Sequence, residues 1–180
     1  MKVINLLGGP GTGKSTTSAS VFSTLKKMGE RCELVTEFAK YLTYQESFKV
    51  LSDQLFVFST QHHKIWNIKD TVDYIVTDSP LLLSLVYFNP DNGVYEKSSF
   101  EKLVINTINS YDNINIFLKR NIEEHPYQEY GRTQTLEQAI DIDNHIKFIL
   151  NEFNVKYIEV EMIGDYESKI IDIIINGGLK

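Results

Sequence analysis

The chain opens on a run of apolar residues, Val3, Ile4, Leu6 and Leu7, interrupted only by Asn5. Such a run predicts a short strand over 2–7, of the kind buried on both faces in a parallel sheet. After a glycine-rich segment, Val21, Phe22, Leu25 and Met28 recur at helical spacing and predict a helix over 14–28, which Gly29 is placed to end. A second strand is expected over 32–36, closed by Glu37. Ser52 is positioned to cap a long helix reaching about Ile68, with Leu55, Phe58, His62 and Ile65 along one stripe. Tyr74 to Thr77 form a third strand ending at Asp78-Ser79-Pro80; residues 81–88 read as helical and 89–93 as a turn cluster. Then come a helix over 100–108, a fourth strand over 114–118, a helix from Thr135 to about Leu150, a fifth strand over 155–160 and a final helix over 166–175. Thr135 and Gln138 have the spacing of a capping box. Residues 119–134 carry no sustained period and are rich in charged and tyrosine side chains. Strands alternating with helices predict an α/β architecture with a parallel sheet and right-handed crossovers.

At 180 residues the chain fits one compact domain, 1–180. A single cysteine, Cys32, excludes an internal disulfide and suits a reducing compartment. One cysteine with four scattered histidines gives no zinc-site spacing. No apolar run approaches the roughly 20 residues of a membrane span, so a cytoplasmic protein is expected. The net charge of −6 weighs against a polynucleotide partner, whose binding draws on neutralising phosphates, without excluding DNA.

The glycine-rich segment Gly8-Gly9-Pro10-Gly11-Thr12-Gly13-Lys14-Ser15 fits the pattern G-x-x-x-x-G-K-[ST], between a predicted strand and a predicted helix. Glycines let main-chain N–H groups close around phosphate oxygens, and those donors lie at a helix N-terminus where the macrodipole favours negative charge. Lys14 can reach the β- and γ-phosphates, and the Ser15 hydroxyl can hold Mg²⁺. Residues Gly8 to Thr16 are therefore the candidate ATP-binding segment. Asp78 ends an apolar strand at what would be the carboxyl edge of the sheet beside this loop, where a carboxylate can hold Mg²⁺. Glu37 ends the neighbouring strand and faces the same crevice, where it can take a proton from an acceptor hydroxyl or bind the acceptor. The choice between Glu37 and Asp78 as base stays open. Gln54, Phe58 and Gln61 share a helical face and form a candidate pocket for a planar heterocycle. His62 reads as a core or pocket-wall residue. Asp141 and Asp143, two apart on a helix, point to different faces and are not a catalytic pair.

The loop at 8–17, Thr-Glu-Phe-Ala-Lys at 36–40, Asp-Gln-Leu at 53–55, Gln-His-His at 61–63, Thr-Asp-Ser-Pro-Leu-Leu-Leu at 77–83, Ser-Tyr-Asp-Asn at 110–113 and Gly-Arg-Thr-Gln-Thr at 131–135 together carry a resemblance. The chain is similar to the small P-loop kinase-like AAA/ATPases of phages and bacteria, related to the nicotinamide riboside kinase domain and to nucleoside and nucleotide kinases. That resemblance implies a three-layer P-loop NTPase fold, with a five-stranded parallel sheet, helices on both faces and a small lid over about 119–134. It makes Lys119, Arg120 and Arg132 lid or hinge cations, Arg120 and Arg132 of a kind that stabilises charge on a transferring phosphoryl group. Tyr127 and Tyr130 would close over a ring, and 161–165 would border the adenine. The chain departs from the usual nucleotide-kinase pattern after Asp78, where Ser79 and Pro80 stand in place of an arginine.

The expected function is ATP- and Mg²⁺-dependent transfer of the γ-phosphate to a nucleoside-like or nucleotide-like small molecule. Two alternatives accompany it: a phage DNA-modification kinase acting on a hydroxymethylated pyrimidine in DNA, and an ATP-hydrolysing switch or assembly ATPase. No Asn-Lys-x-Asp guanine-reading motif and no Leu-Ser-Gly-Gly-Gln transporter signature occurs.

Overall fold

The computed structural model describes residues 1–92, 95–128 and 134–176. Its strands are β1 (Lys2–Leu7), β2 (Cys32–Val35), β3 (Tyr74–Thr77), β4 (Asp112–Lys119) and β5 (Ile158–Glu161). They form one sheet in the order β2-β3-β1-β4-β5, and every neighbouring pair is parallel. The helices are α1 (Lys14–Lys27), α2 (Ala39–Tyr44), α3 (Phe48–Leu51), α4 (Gln54–Trp66), α5 (Leu83–Val86), α6 (Lys97–Asn109), α7 (Leu136–Glu152) and α8 (Tyr166–Ile175).

Because strand side chains alternate between faces, β1 feeds two separate cores. Ile4 and Leu6 pack with Val21 and Leu25 of α1 and with Ile170 and Ile174 of α8. Val3 and Leu7 face the other way, against Phe58 and Ile65 of α4, Phe100 and Val104 of α6, and Ile146 and Leu150 of α7. Asn5 shares this second face and is buried. Its amide donates to Asn113 Oδ1 and Asn115 Oδ1 of β4, each at 2.9 Å, which offsets the cost of a polar group in the core.

The long elements follow the hydrophobic pattern, and the differences are local. Asp53, not Ser52, caps α4, its side chain accepting the Phe56 N–H; the Ser52 hydroxyl donates instead to the Lys49 carbonyl. Leu55 is 37% exposed, and Val57 takes the buried place beside Phe58. The short helices α2 and α3 fill a stretch without a full apolar period. α6 starts three residues earlier than its pattern suggested, β5 starts later, and the 81–88 segment is helical only over Leu83–Val86. The capping box of Thr135 and Gln138 forms in both directions. Among the described residues no helix is long and apolar enough to cross a membrane.

Candidate active site

α1 starts where β1 ends, and its first turn is open. Side chains cap α4, α7 and α8, from Asp53, Thr135 and Asp165. α1 instead starts from Gly13, with no side-chain cap and no acid in its first turn, so its free N–H groups and positive dipole end are left for an anion. Gly13 takes φ 74°, and a Cβ there would lie 2.8 Å from Met162 Cε. The backbone conformation favours glycine, while the crowding is with the flexible end of Met162, which can shift. Within the loop the Thr12 hydroxyl and the Lys14 ammonium both donate to the Gly9 carbonyl, at 3.0 and 2.9 Å. Burial holds the Lys14 pKa below the ordinary lysine value; Glu37, Asp78 and Asp143 oppose that shift and Arg120 adds to it. Four charged groups thus converge on this one ammonium.

Asp78 lies at the end of β3, 5% exposed, and binds two elements at once. Its Oδ2 accepts the Ser15 hydroxyl at 2.7 Å, and its Oδ1 accepts the Glu37 backbone N–H at 3.0 Å. The expected juxtaposition of the loop with Asp78 and Glu37 is therefore formed. Burial raises the Glu37 pKa, Asp78 adds to the rise, and Lys14 and Lys40 oppose it. A carboxyl shifted upward in this way is a better proton acceptor than an ordinary glutamate. Ser15 and Asp78 are an oxygen donor pair of the kind Mg²⁺ takes from protein, the rest of its shell coming from phosphate and water. The residues present fit that ion.

Gln54, Phe58 and Gln61 do share one face of α4, but that face is turned inward. Gln61 Oε1 accepts the Phe38 N–H at 3.1 Å and its Nε2 donates to the Thr36 carbonyl, so this amide holds the turn that carries Glu37. Gln54 Nε2 donates to the Leu51 carbonyl at 2.8 Å. Phe58 is 3% exposed, stacked on His62 and edge-on to Phe100. Gln61 thus frames the turn that carries Glu37, while Gln54 bonds the preceding helix and Phe58 the core, where the sequence predicts edges facing a heterocycle. His62 is paired with Tyr111, which directly precedes β4, its Nε2 2.9 Å from the Tyr111 hydroxyl.

Of the cations, Lys119 pairs with Glu161 on the exposed end of the sheet. Arg120 lies over the loop: its Nη2 donates to the Pro10 carbonyl at 2.8 Å and its Nε to Asp143 Oδ2 at 2.9 Å. Tyr127 packs against Gly11, with Arg120 5.7 Å from its ring centre, and its hydroxyl donates to the Gln134 carbonyl. Arg132 and Tyr130 lie outside the described residues. In the 161–165 segment, Met162 packs on Gly13, and the Gly164 N–H donates to Glu124.

The place of Asp143 in the crevice has no local motif behind it. Asp143, on α7, is buried and also accepts the Gly9 N–H. The only sequence signal was the helical offset that separates Asp143 from the exposed Asp141.

A parallel sheet in this strand order, with a glycine loop between its central strand and an uncapped helix and an acid at the end of the adjacent strand, defines a P-loop NTPase fold. The chain belongs to the family described as AAA domain, whose model matches residues 3–169. No curated protein matches the sequence. Among solved structures, the chain is similar to deoxyadenosine kinase from M. mycoides with bound dATP, at 18% identity and TM-score 0.55, covering 98% of each chain. It is similar to NadR protein in complex with NR at 16% identity and TM-score 0.67, covering 99% of this chain and 52% of that one. YorR protein from Bacillus subtilis, in complex with phosphorylated GDP, gives 17% identity and TM-score 0.61, with 97% and 94% covered. At these identities the likeness is one of fold.

Proposed function

We propose that the protein transfers the γ-phosphoryl group of ATP to a hydroxyl or phosphate of a nucleoside-like or nucleotide-like small molecule. The observation that carries this reading is Glu37, a carboxyl with a raised pKa, held by its own backbone N–H on Asp78, which in turn holds Ser15. A base so placed serves an attacking hydroxyl and an attacking water alike, so the acceptor assay decides between transfer and hydrolysis. The structural neighbours include a nucleoside kinase and proteins seen with nucleotide-like ligands, which favours an acceptor of that class.

In this reading the loop N–H groups and Lys14 hold the triphosphate. Ser15 and Asp78 hold Mg²⁺, which neutralises charge on the phosphates when bound. Glu37 takes the acceptor proton as the acceptor oxygen attacks phosphorus in line. Arg120 and Arg132 offset charge gathering on the transferred group, and Tyr127 covers the loop to exclude water. Gln61 holds the turn that carries Glu37 in place from behind. The Ser79-Pro80 sequence leaves recognition of any acceptor phosphate to the lid.

One observation favours a second reading, phosphorylation of a hydroxymethylated base in DNA. Just beyond Glu37, Tyr41, Tyr44 and Phe48 are 63%, 67% and 53% exposed on α2 and α3, with Lys40 and Lys49 interleaved. Exposed aromatic rings among cations are what unpaired bases stack on. Incubation with ATP, Mg²⁺ and a panel of nucleosides, nucleotides, nicotinamide riboside and hydroxymethylated DNA, followed by mass spectrometry, separates the two readings. A phosphoryl mass gain on a small acceptor supports the first, a gain on DNA alone supports the second, and a gain on none overturns both.

A further inference from the structure

The Asp143 carboxylate is placed where helix, loop and lid meet. Its Oδ1 accepts the Gly9 N–H and its Oδ2 accepts Arg120 Nε at 2.9 Å, with the two side chains only 13% and 8% exposed. The Arg120 guanidinium is held at a second point, Nη2 on the Pro10 carbonyl at 2.8 Å. Its third nitrogen, Nη1, lies over Gly11, 3.4 Å from where a Cβ would project, and the Tyr127 ring covers the same glycine. Two of the three guanidinium nitrogens are thus committed to fixing its orientation, and the third is left beside the loop.

An arginine has many rotamers, and two acceptors from separate elements, the Asp143 carboxylate on Nε and the Pro10 carbonyl on Nη2, fix its guanidinium plane better than one acceptor does. We propose that Asp143 is a positioning residue, whose carboxylate holds Arg120 preorganised over the P-loop so that Nη1 meets the γ-phosphate without rearrangement. Asp143 touches no reacting atom. It acts through Arg120 alone; the Gly9 N–H on its other oxygen keeps the carboxylate itself in place. The proposal rests on the phosphotransferase reading for the event that Arg120 serves; the placement of Arg120 is independent of it.

Asp143→Asn can accept only one of the two donors and turns an N–H₂ toward the other. A misplacement of about an ångström costs on the order of a hundredfold in rate. Asp143→Asn and Arg120→Ala are each expected to lower turnover of Mg-ATP by that order, with the ATP dissociation constant changed by less than about threefold. The double variant is expected to be no slower than Arg120→Ala alone. Losses that multiply in the double variant, or an Asp143→Asn enzyme within about twofold of native turnover, would overturn the proposal. The Arg120 side-chain Nε–H NMR signal gives a readout that needs no turnover and no acceptor. With bound AMP-PNP it should stay shielded from solvent exchange in the native chain and exchange rapidly in Asp143→Asn. Rapid exchange in the native complex would show that Arg120 leaves Asp143 on nucleotide binding, and would overturn the proposal even if phosphate transfer is confirmed.

Discussion

Gln61 is where the frame of the crevice can be tested against the alternative that it touches the acceptor. Gln61→Ala leaves the Phe38 N–H without its acceptor at 3.1 Å and removes a longer bond to the Thr36 carbonyl. Both groups are part-buried, so the expected loss is about 2 kcal/mol, the middle of the range for abandoning such a donor. For a chain of this length that lowers the melting temperature by roughly 4–8 °C. The loosened turn carries Glu37, so turnover should fall together with stability while the ATP dissociation constant stays within about twofold. Thermal melts by circular dichroism and ATP titration by calorimetry read both quantities on one preparation. If Gln61→Ala melted within 1 °C of the native chain, taken as about the scatter of replicate melts, and raised only the acceptor KM, the residue would be a substrate contact and the frame argument would fail.

Other outcomes follow from the charged groups. Because the Glu37 pKa is raised in the folded state, its ionisation destabilises the fold once pH rises above the ordinary carboxylate range. Glu37→Gln should therefore melt higher than the native chain at neutral pH, with the difference vanishing in acid, while transfer falls by about 10²–10⁴-fold. The Lys14 pKa is lowered, so its charged form is disfavoured in the folded, nucleotide-free chain. Lys14→Met should stabilise that chain most at low pH, lose the advantage as pH approaches the ordinary lysine value, and fail to bind ATP in calorimetry.

The parts of the site visible in the sequence are those held by adjacent residues. The loop from Gly8 to Ser15 carries its whole geometry in one turn, and Asp78 and Glu37 follow from strands that end at one edge of a parallel sheet. The contacts of Asp143 are not visible in sequence, because they need α7 to lie against a loop 134 residues earlier in the chain. Periodicity puts Gln54 and Gln61 on one face of α4 but does not say whether a polar side chain on that face is already satisfied by nearby backbone. α2 and α3 are too short to show a period. The shift of the α4 cap from Ser52 to Asp53 moves one residue between two competent capping types.

The central claim is that the γ-phosphate leaves for a second substrate and not for water. It is tested most directly by following radiolabelled γ-phosphate from ATP, with Mg²⁺, in the presence of the acceptor panel. The account predicts label on a nucleoside-like or nucleotide-like acceptor, with the amount falling in Glu37→Gln. Label released only as inorganic phosphate, at the same rate with every acceptor and with none, would contradict it.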